Sequence, residues 1–198
     1  MKNSDKNKIQ NESKKSEDSG FVNPASDAAT SLQLLFLDCL KDIYWAENAL
    51  VKALPKMAAN ATDASLKSSI NDHIAVTENQ IVRLGKVFEL LGEKAEGKKC
   101  AAMAGLIEEG NNILEETQPG AVRDAGIIAA SQKVEHYEIA TYGTLLSFAK
   151  VLGENDAAKL FQQTLAEEIE ADKVLTDVAT ASVNADANDN ESLSEERE

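Results

Sequence analysis

Glu47, His73, Glu135, Glu138, Glu168 and Asp172 are the residues whose types and spacing can do chemistry together. Each stands where a helical run of apolar residues should place another apolar side chain. Glu135 and Glu138 are three residues apart and Glu168 and Asp172 four apart, so each pair shares one helix face. A lone buried carboxylate is costly, and neighbouring carboxylates push each other's pKa upward as desolvation does. Protons, water or a metal cation can relieve such a cluster. Carboxylate oxygens joined by imidazole suit iron or manganese, and a central carboxylate site for two metals is a known use of helical bundles.

The elements that position these residues follow from apolar periodicity. A first helix follows Thr30 or Ser31, either of which can cap it, with a buried series Phe36, Leu40, Ile43, Glu47, Leu50, Leu54 and Met57. Pro55 inside it predicts a kink or an early end. A second helix starts near Thr62 or Asp63 and stops at Gly92, through Leu66, Ile70, His73, Thr77, Gln80, Leu84, Val87 and Leu91. A neighbouring row, Ile74, Ile81 and Phe88, widens its stripe. CAAMAGLIEEGNNILEET reads as a short amphipathic crossover, ended by the turn QPG at 118–120. A third helix runs from about Val122 to Leu152 and closes at Gly153, through Ile128, Ser131, Glu135, Glu138, Tyr142, Leu145 and Ala149. A fourth runs from about Asp156 to the early 180s, through Phe161, Leu165, Glu168, Asp172, Leu175 and Ala179.

All four stripes are apolar at both ends and polar in the middle. In antiparallel helices the mid-helix positions meet at one level, so the polar members should converge at the centre of an all-α antiparallel four-helix bundle. Singly, each residue has a plainer reading. Glu168, within AEEIEAD, fits a solvated face about as well. His73 alone reads as a satisfied core or boundary histidine. Tyr44, Tyr137 and Tyr142 read as core residues with a polar tip, and Cys39 and Cys100 as small buried hydrophobes. His136 lies off the Glu135/Glu138 row, where a hydrogen-bonding role beside the site suits it. The matched depth of four interruptions is what favours a site.

Composition agrees with this architecture. The 198 residues suit one domain with tails. They are 43% hydrophobic but only 5% aromatic, with 10 Gly and 3 Pro, which favours helix over strand. The net charge of −14 repels phosphate backbones and argues against nucleic-acid wrapping. No run of apolar residues is long enough for a membrane span. The polar first twenty residues lack a secretory apolar segment, and two cysteines make no disulfide framework; a reducing cytoplasm is the expected compartment. Residues 1–28 are expected to be a disordered polar tail, 29–182 the bundle, and 183–198 a loose acidic tail.

KDIYWAENALVKALPKM, KKCAAMAGLIEEG and RDAGIIAASQKVEHYEIATYGTL resemble the YciE/YciF family of bacterial stress-associated, ferritin-like proteins, over roughly residues 31–180. The resemblance implies a ferritin-like four-helix bundle with an added short helix, a homodimer, and a binuclear iron or manganese site, two metals per chain, that reacts with oxygen or peroxide. It assigns Glu47, Glu135, Glu138, Glu168 and Asp172 as metal residues; Tyr44, Gln80 and His136 are the candidates, from their positions, to stand around them. The second helix departs from the family pattern His-Leu-Glu-Glu-Thr and reads His73-Ile74-Ala75-Val76-Thr77. Glu78 or His73 is then the candidate donor from that helix. Neither histidine forms a Glu-x-x-His pair, because Ile70 and Lys133 occupy the preceding positions. The alternative is a degenerate site in a bundle that works through protein association.

Overall fold

The computed structural model describes residues 22–195, with side-chain surroundings described through Asp189. Its elements are α1 (Leu32–Asn60), α2 (Ala64–Leu90), α3 (Ala101–Glu116), α4 (Ala121–Leu152), α5 (Asn155–Val178), a π-helical turn (Ala179–Val183) and α6 (Asn184–Glu195). α1, α2, α4 and α5 form a ferritin-like antiparallel bundle. α1 packs on α2 and α4, and α5 packs on α4 and α2. The short helix α3 lies outside, against α1 and α4.

Local chemistry sets the helix ends. Ser31 Oγ accepts from Leu34 N at 3.2 Å, and Asp63 Oδ1 accepts from Leu66 N at 2.8 Å. At the other ends, Gly92 and Gly153 take left-handed φ values of 69° and 80°. Each lets the next N–H turn back: Glu93 N reaches Phe88 O and Glu154 N reaches Ala149 O, both at 2.9 Å. Pro55 does not end α1, which continues to Asn60. Leu54, Met57 and Ala58 are buried there, and that packing outweighs one missing backbone donor.

The core follows the predicted stripes: Phe36, Leu40, Ile43, Leu66, Leu84, Tyr142, Leu145 and Phe161 are almost wholly buried. Phe36 and Phe161 meet edge to face at 6.0 Å between centroids, tying α1 to α5 across the bundle. Gly126 lets α3 lie close to α4, since a Cβ there would sit 2.7 Å from Ile113 Cγ2.

One polar joint fixes the α1–α2 turn. Asp124, in the first turn of α4, is buried and accepts from Thr62 N and Asp63 N, both at 2.8 Å, and from the Thr62 hydroxyl. Replacing it would leave three donors without their acceptor. Asp124→Ala is expected to lower unfolding free energy by about 2–4 kcal/mol in a urea titration, and a loss under about 1 kcal/mol would contradict that role.

The C-terminal stretch differs from the loose tail expected from residue 183. The helical path of α5 passes through the π turn into α6, which packs against α4. Ala179 and Val183 are buried, and this anchor carries a polar segment into helix that its composition alone would not hold. Residues 22–30 are exposed and non-helical. The rest of the expected N-terminal tail, and residues 196–198, lie outside the described residues. No described helix is long and apolar enough to cross a membrane.

Candidate metal centre

Glu47 comes from α1, His73 from α2, Glu135 and Glu138 from α4, and Glu168 from α5. All five lie mid-helix on stripes that face inward, so folding brings them to one level. His73, Glu135, Glu138 and Glu168 each offer a donor atom, and these atoms all lie within 4.8 Å of one another. His73 Nε2 is 3.5 Å from Glu135 Oε1. Glu47 stands beside the group, close enough to raise the pKa of Glu138.

These groups are almost fully dehydrated: Glu47, Glu138 and Glu168 are 0% exposed and Glu135 is 3% exposed. Burial pushes the Glu47, Glu135 and Glu138 carboxyls well above the ordinary carboxylate range, and neighbouring carboxylates push them further. Burial raises Glu168 to about 7, partly opposed by hydrogen bonds from Glu135 and Gln80. Burial lowers His73 to about 4, so its imidazole is neutral at physiological pH.

A set of neighbours orients the donors. Tyr142 OH donates to Glu47 Oε1. Gln80 Nε2 donates to Glu168 Oε1 and, at 3.2 Å, to Glu167 Oε2. Arg83 grips Glu167 with two bonds of 2.8 Å and donates to Thr164 at 2.6 Å. This cation draws Glu167 below the usual carboxylate range although burial alone would raise it. Arg83 therefore fixes the turn of α5 that presents Glu168.

The candidate residues do not all reach the cluster. Asp172, one turn beyond Glu168, is at its edge with a side chain 24% exposed. It accepts from Gln132 Nε2 at 3.1 Å and lies 3.4 Å from His136 Nε2. The His136 side chain is 69% exposed and pairs at that edge rather than inside. Glu78 is exposed, because it follows buried Thr77 by one residue and so turns about 100° away on the helix. Tyr44 is half-buried on α1, three residues before Glu47. Its ring packs edge to face on Phe88 at 5.4 Å. From α2 the structure therefore brings His73 and Gln80 inward, and Glu78 outward.

Tyr142, read from the sequence as a core residue with a polar tip, uses that tip to hold Glu47. Its place four residues after Glu138 was the available signal. The Arg83–Glu167 pair was not legible, since it joins two helices far apart in sequence.

Eight buried side-chain atoms here have no hydrogen-bond partner: Glu47 Oε2, His73 Nε2, Thr77 Oγ1, Gln80 Oε1, Glu135 Oε2, both Glu138 oxygens and Glu168 Oε2. Buried polar atoms are ordinarily paired, so this concentration is a cage of donors facing one another. Its chemistry, carboxylate oxygen with one neutral imidazole, fits iron or manganese.

Comparison with known proteins agrees with the fold. The family model described as a domain of unknown function, DUF892, matches residues 31–188. Protein YciF of Escherichia coli K12 is 45% identical over 158 residues, covering 79% of this chain and 95% of YciF. The crystal structure of the E. coli stress protein YciF superposes with a TM-score of 0.76 at 44% identity, covering 79% of this chain and 99% of that one. YcfI of Rhodopseudomonas palustris gives a TM-score of 0.75 at 41% identity, covering 77% of this chain and 97% of its own. A Xanthomonas campestris protein at 22% identity and TM-score 0.66 shares the fold. With a helical bundle, a matching family model and near-complete overlap with YciF, the chain belongs to the YciE/YciF family, the family of the DUF892 domain.

Proposed function

We propose that this protein binds iron or manganese in its bundle core and serves bacterial stress defence by oxidising Fe(II) with oxygen or peroxide. The observation that carries this reading is the meeting of four donors within 4.8 Å amid buried atoms that have no partner. Glu135, Glu138 and Glu168 would hold the metal with His73, and Glu47 stands alongside for a second ion. A metal bound there would supply the electrons that reduce the oxidant. The chain supplies the rest: carboxylates that offset cationic charge, a neutral imidazole, and exclusion of water by the surrounding Leu, Ile and Phe. Glu168, raised to about 7 by burial in the metal-free site, would give up its proton as a metal binds. Gln80 keeps that carboxylate aimed, and Tyr142 does so for Glu47. A cytoplasmic homodimer is part of the same proposal.

Anaerobic Fe(II) titration followed by elemental analysis is the test. At least one metal per chain is expected, two if Glu47 completes a second position, and Glu135→Ala should weaken affinity by at least about tenfold. Less than one metal per chain, unchanged by Glu135→Ala, would sink the reading.

One observation favours a second reading. α2 contributes only a neutral imidazole to the donor group, with Ala75 exposed and Val76 half-buried where the family pattern has glutamates. A bundle with a degenerate site would then act by protein association. Superimposable melting curves in EDTA and in Mn(II) would favour that reading.

A further inference from the structure

A cleft of about 660 Å³ opens along the seam between α2 and α5. It exists because α5 packs more extensively on α4 than on α2. Ile70 and Val76 form one wall, and Val174 and Val178 the other. Its lining also includes His73 and Glu135, the two donors of the core cluster that border it. Both carry a buried polar atom without a partner, His73 Nε2 and Glu135 Oε2. The cleft thus runs from solvent to the edge of the donor group, where these two atoms are themselves closed off from water, and its volume is that of an ordinary small-molecule site.

The charge of the lining selects the occupant. Asp72, Glu167 and Glu170 border the cleft, and no lysine or arginine lines it among the described residues. An anionic ligand such as a fatty acid would meet carboxylates with no cation in the lining itself, since Arg83 and Lys173, which pair with Glu167 and Glu170, stand outside it. A second copy of this chain would set the same carboxylates against their own kind, on a protein of net charge −14. The apolar walls favour an uncharged organic body, and the unpartnered atoms at the cluster favour one hydrogen-bonding head.

We propose that the α2–α5 cleft binds an uncharged organic molecule with an apolar body and a hydroxyl- or hydroperoxyl-type head, the head lying against His73 and Glu135. This deepens the proposed function by naming the ligand class admitted to the same site. The binding itself needs no metal.

The probe is cumyl alcohol, titrated by calorimetry and by ligand-observed NMR into the full chain freed of metal with EDTA. Saturable binding is expected, weakened at least about tenfold by Val174→Trp, which fills the cleft from α5. Val76→Trp fills it from α2 and serves if the first variant does not fold, as judged by circular dichroism. The anion cumate should bind at least about tenfold more weakly than the alcohol. No binding at the solubility limit, or equal binding to both tryptophan variants and wild type, overturns the proposal. So does a wild-type dimer that Val174→Trp converts to monomer, because a second copy would then be the occupant. A parallel Mn(II) titration separates the two ideas. Alcohol binding without metal uptake leaves the cleft and removes the metal reading, whereas metal uptake without alcohol binding does the reverse.

Discussion

Glu138→Leu is expected to make the metal-free protein more stable while removing metal binding. Glu138 is completely buried, and neither carboxylate oxygen has a hydrogen-bond partner. Burial and then the Glu47, Glu168 and Glu135 charges oppose its ionisation, so without a cation the side chain is a liability to the fold. Leucine has nearly the same volume and belongs in a stripe that already holds Tyr142 and Leu145. Replacing buried charges by well-packed apolar residues is commonly neutral or stabilising, by about 1–4 kcal/mol. The thermal midpoint in EDTA should therefore rise by several degrees, while metal uptake in Mn(II) or Fe(II) titration falls at least about tenfold. A residue kept for packing alone would behave the other way, with stability lost on substitution. Lower stability together with unchanged metal uptake would contradict the account. The expected pattern is a trade of stability for function, as sites built from mutually repelling groups produce.

The second large effect is a reversal of pH dependence on metal binding. Glu168 has a folded-state pKa raised to about 7, and Glu47, Glu135 and Glu138 are also raised. A raised folded pKa means that the protonated carboxyl is the favoured native form. The associated stability is full below the unfolded value and is lost as pH rises through the folded value. Glu168 alone represents roughly 3 kcal/mol over that span. His73 works in the opposite sense, with its folded pKa lowered to about 4. Its contribution is present above the unfolded value of about 6.5 and fades only as pH falls below that, so it does not disturb the neutral range. In EDTA the midpoint of unfolding should fall as pH rises above about 6.5, through the end of the Glu168 window near 7 and onward as Glu47, Glu135 and Glu138 ionise. With Mn(II) at a hundredfold excess over its Kd, the midpoint should be roughly 5–10 °C higher and should hold or rise over the same range. Metal needs the deprotonated ligands, so its affinity grows as the carboxyls ionise. Parallel calorimetric curves with and without metal would show that the carboxylates do not act as ligands.

Much of the architecture could be read in the residues because helix periodicity is local. Spacings of three and four marked the buried faces of α1, α2, α4 and α5, and Ser31, Asp63, Gly92 and Gly153 marked ends through their own backbone chemistry. The same spacing placed Glu47, Glu135, Glu138 and Glu168 inward, since an inward row interrupted by a carboxylate carries the carboxylate inward too. Pro55 shows the limit of local reasoning, because buried neighbours carry the helix past it. The end of α5 shows it again, where Ala179 and Val183 anchor a segment whose polar composition suggests a tail.

Choices between neighbouring candidates depended on contacts between helices, which no single stripe contains. Glu78 and His73 were both plausible donors from α2, and the rotation of that helix in the bundle turns one outward and the other toward Glu135. Asp172 shares a face with Glu168 but lies one turn along, where the bundle edge gives it Gln132 and His136 instead of the core. Tyr142 on Glu47, Arg83 on Glu167, and the α2–α5 cleft likewise arise from the relative placement of whole helices. The residues and their periodicity carry Glu47, Glu135, Glu138 and Glu168 into the core. Helix rotation, axial offset and the uneven packing of α5 decide which of them meet, because those quantities are set by side chains interlocking across the bundle rather than along any one strand of sequence.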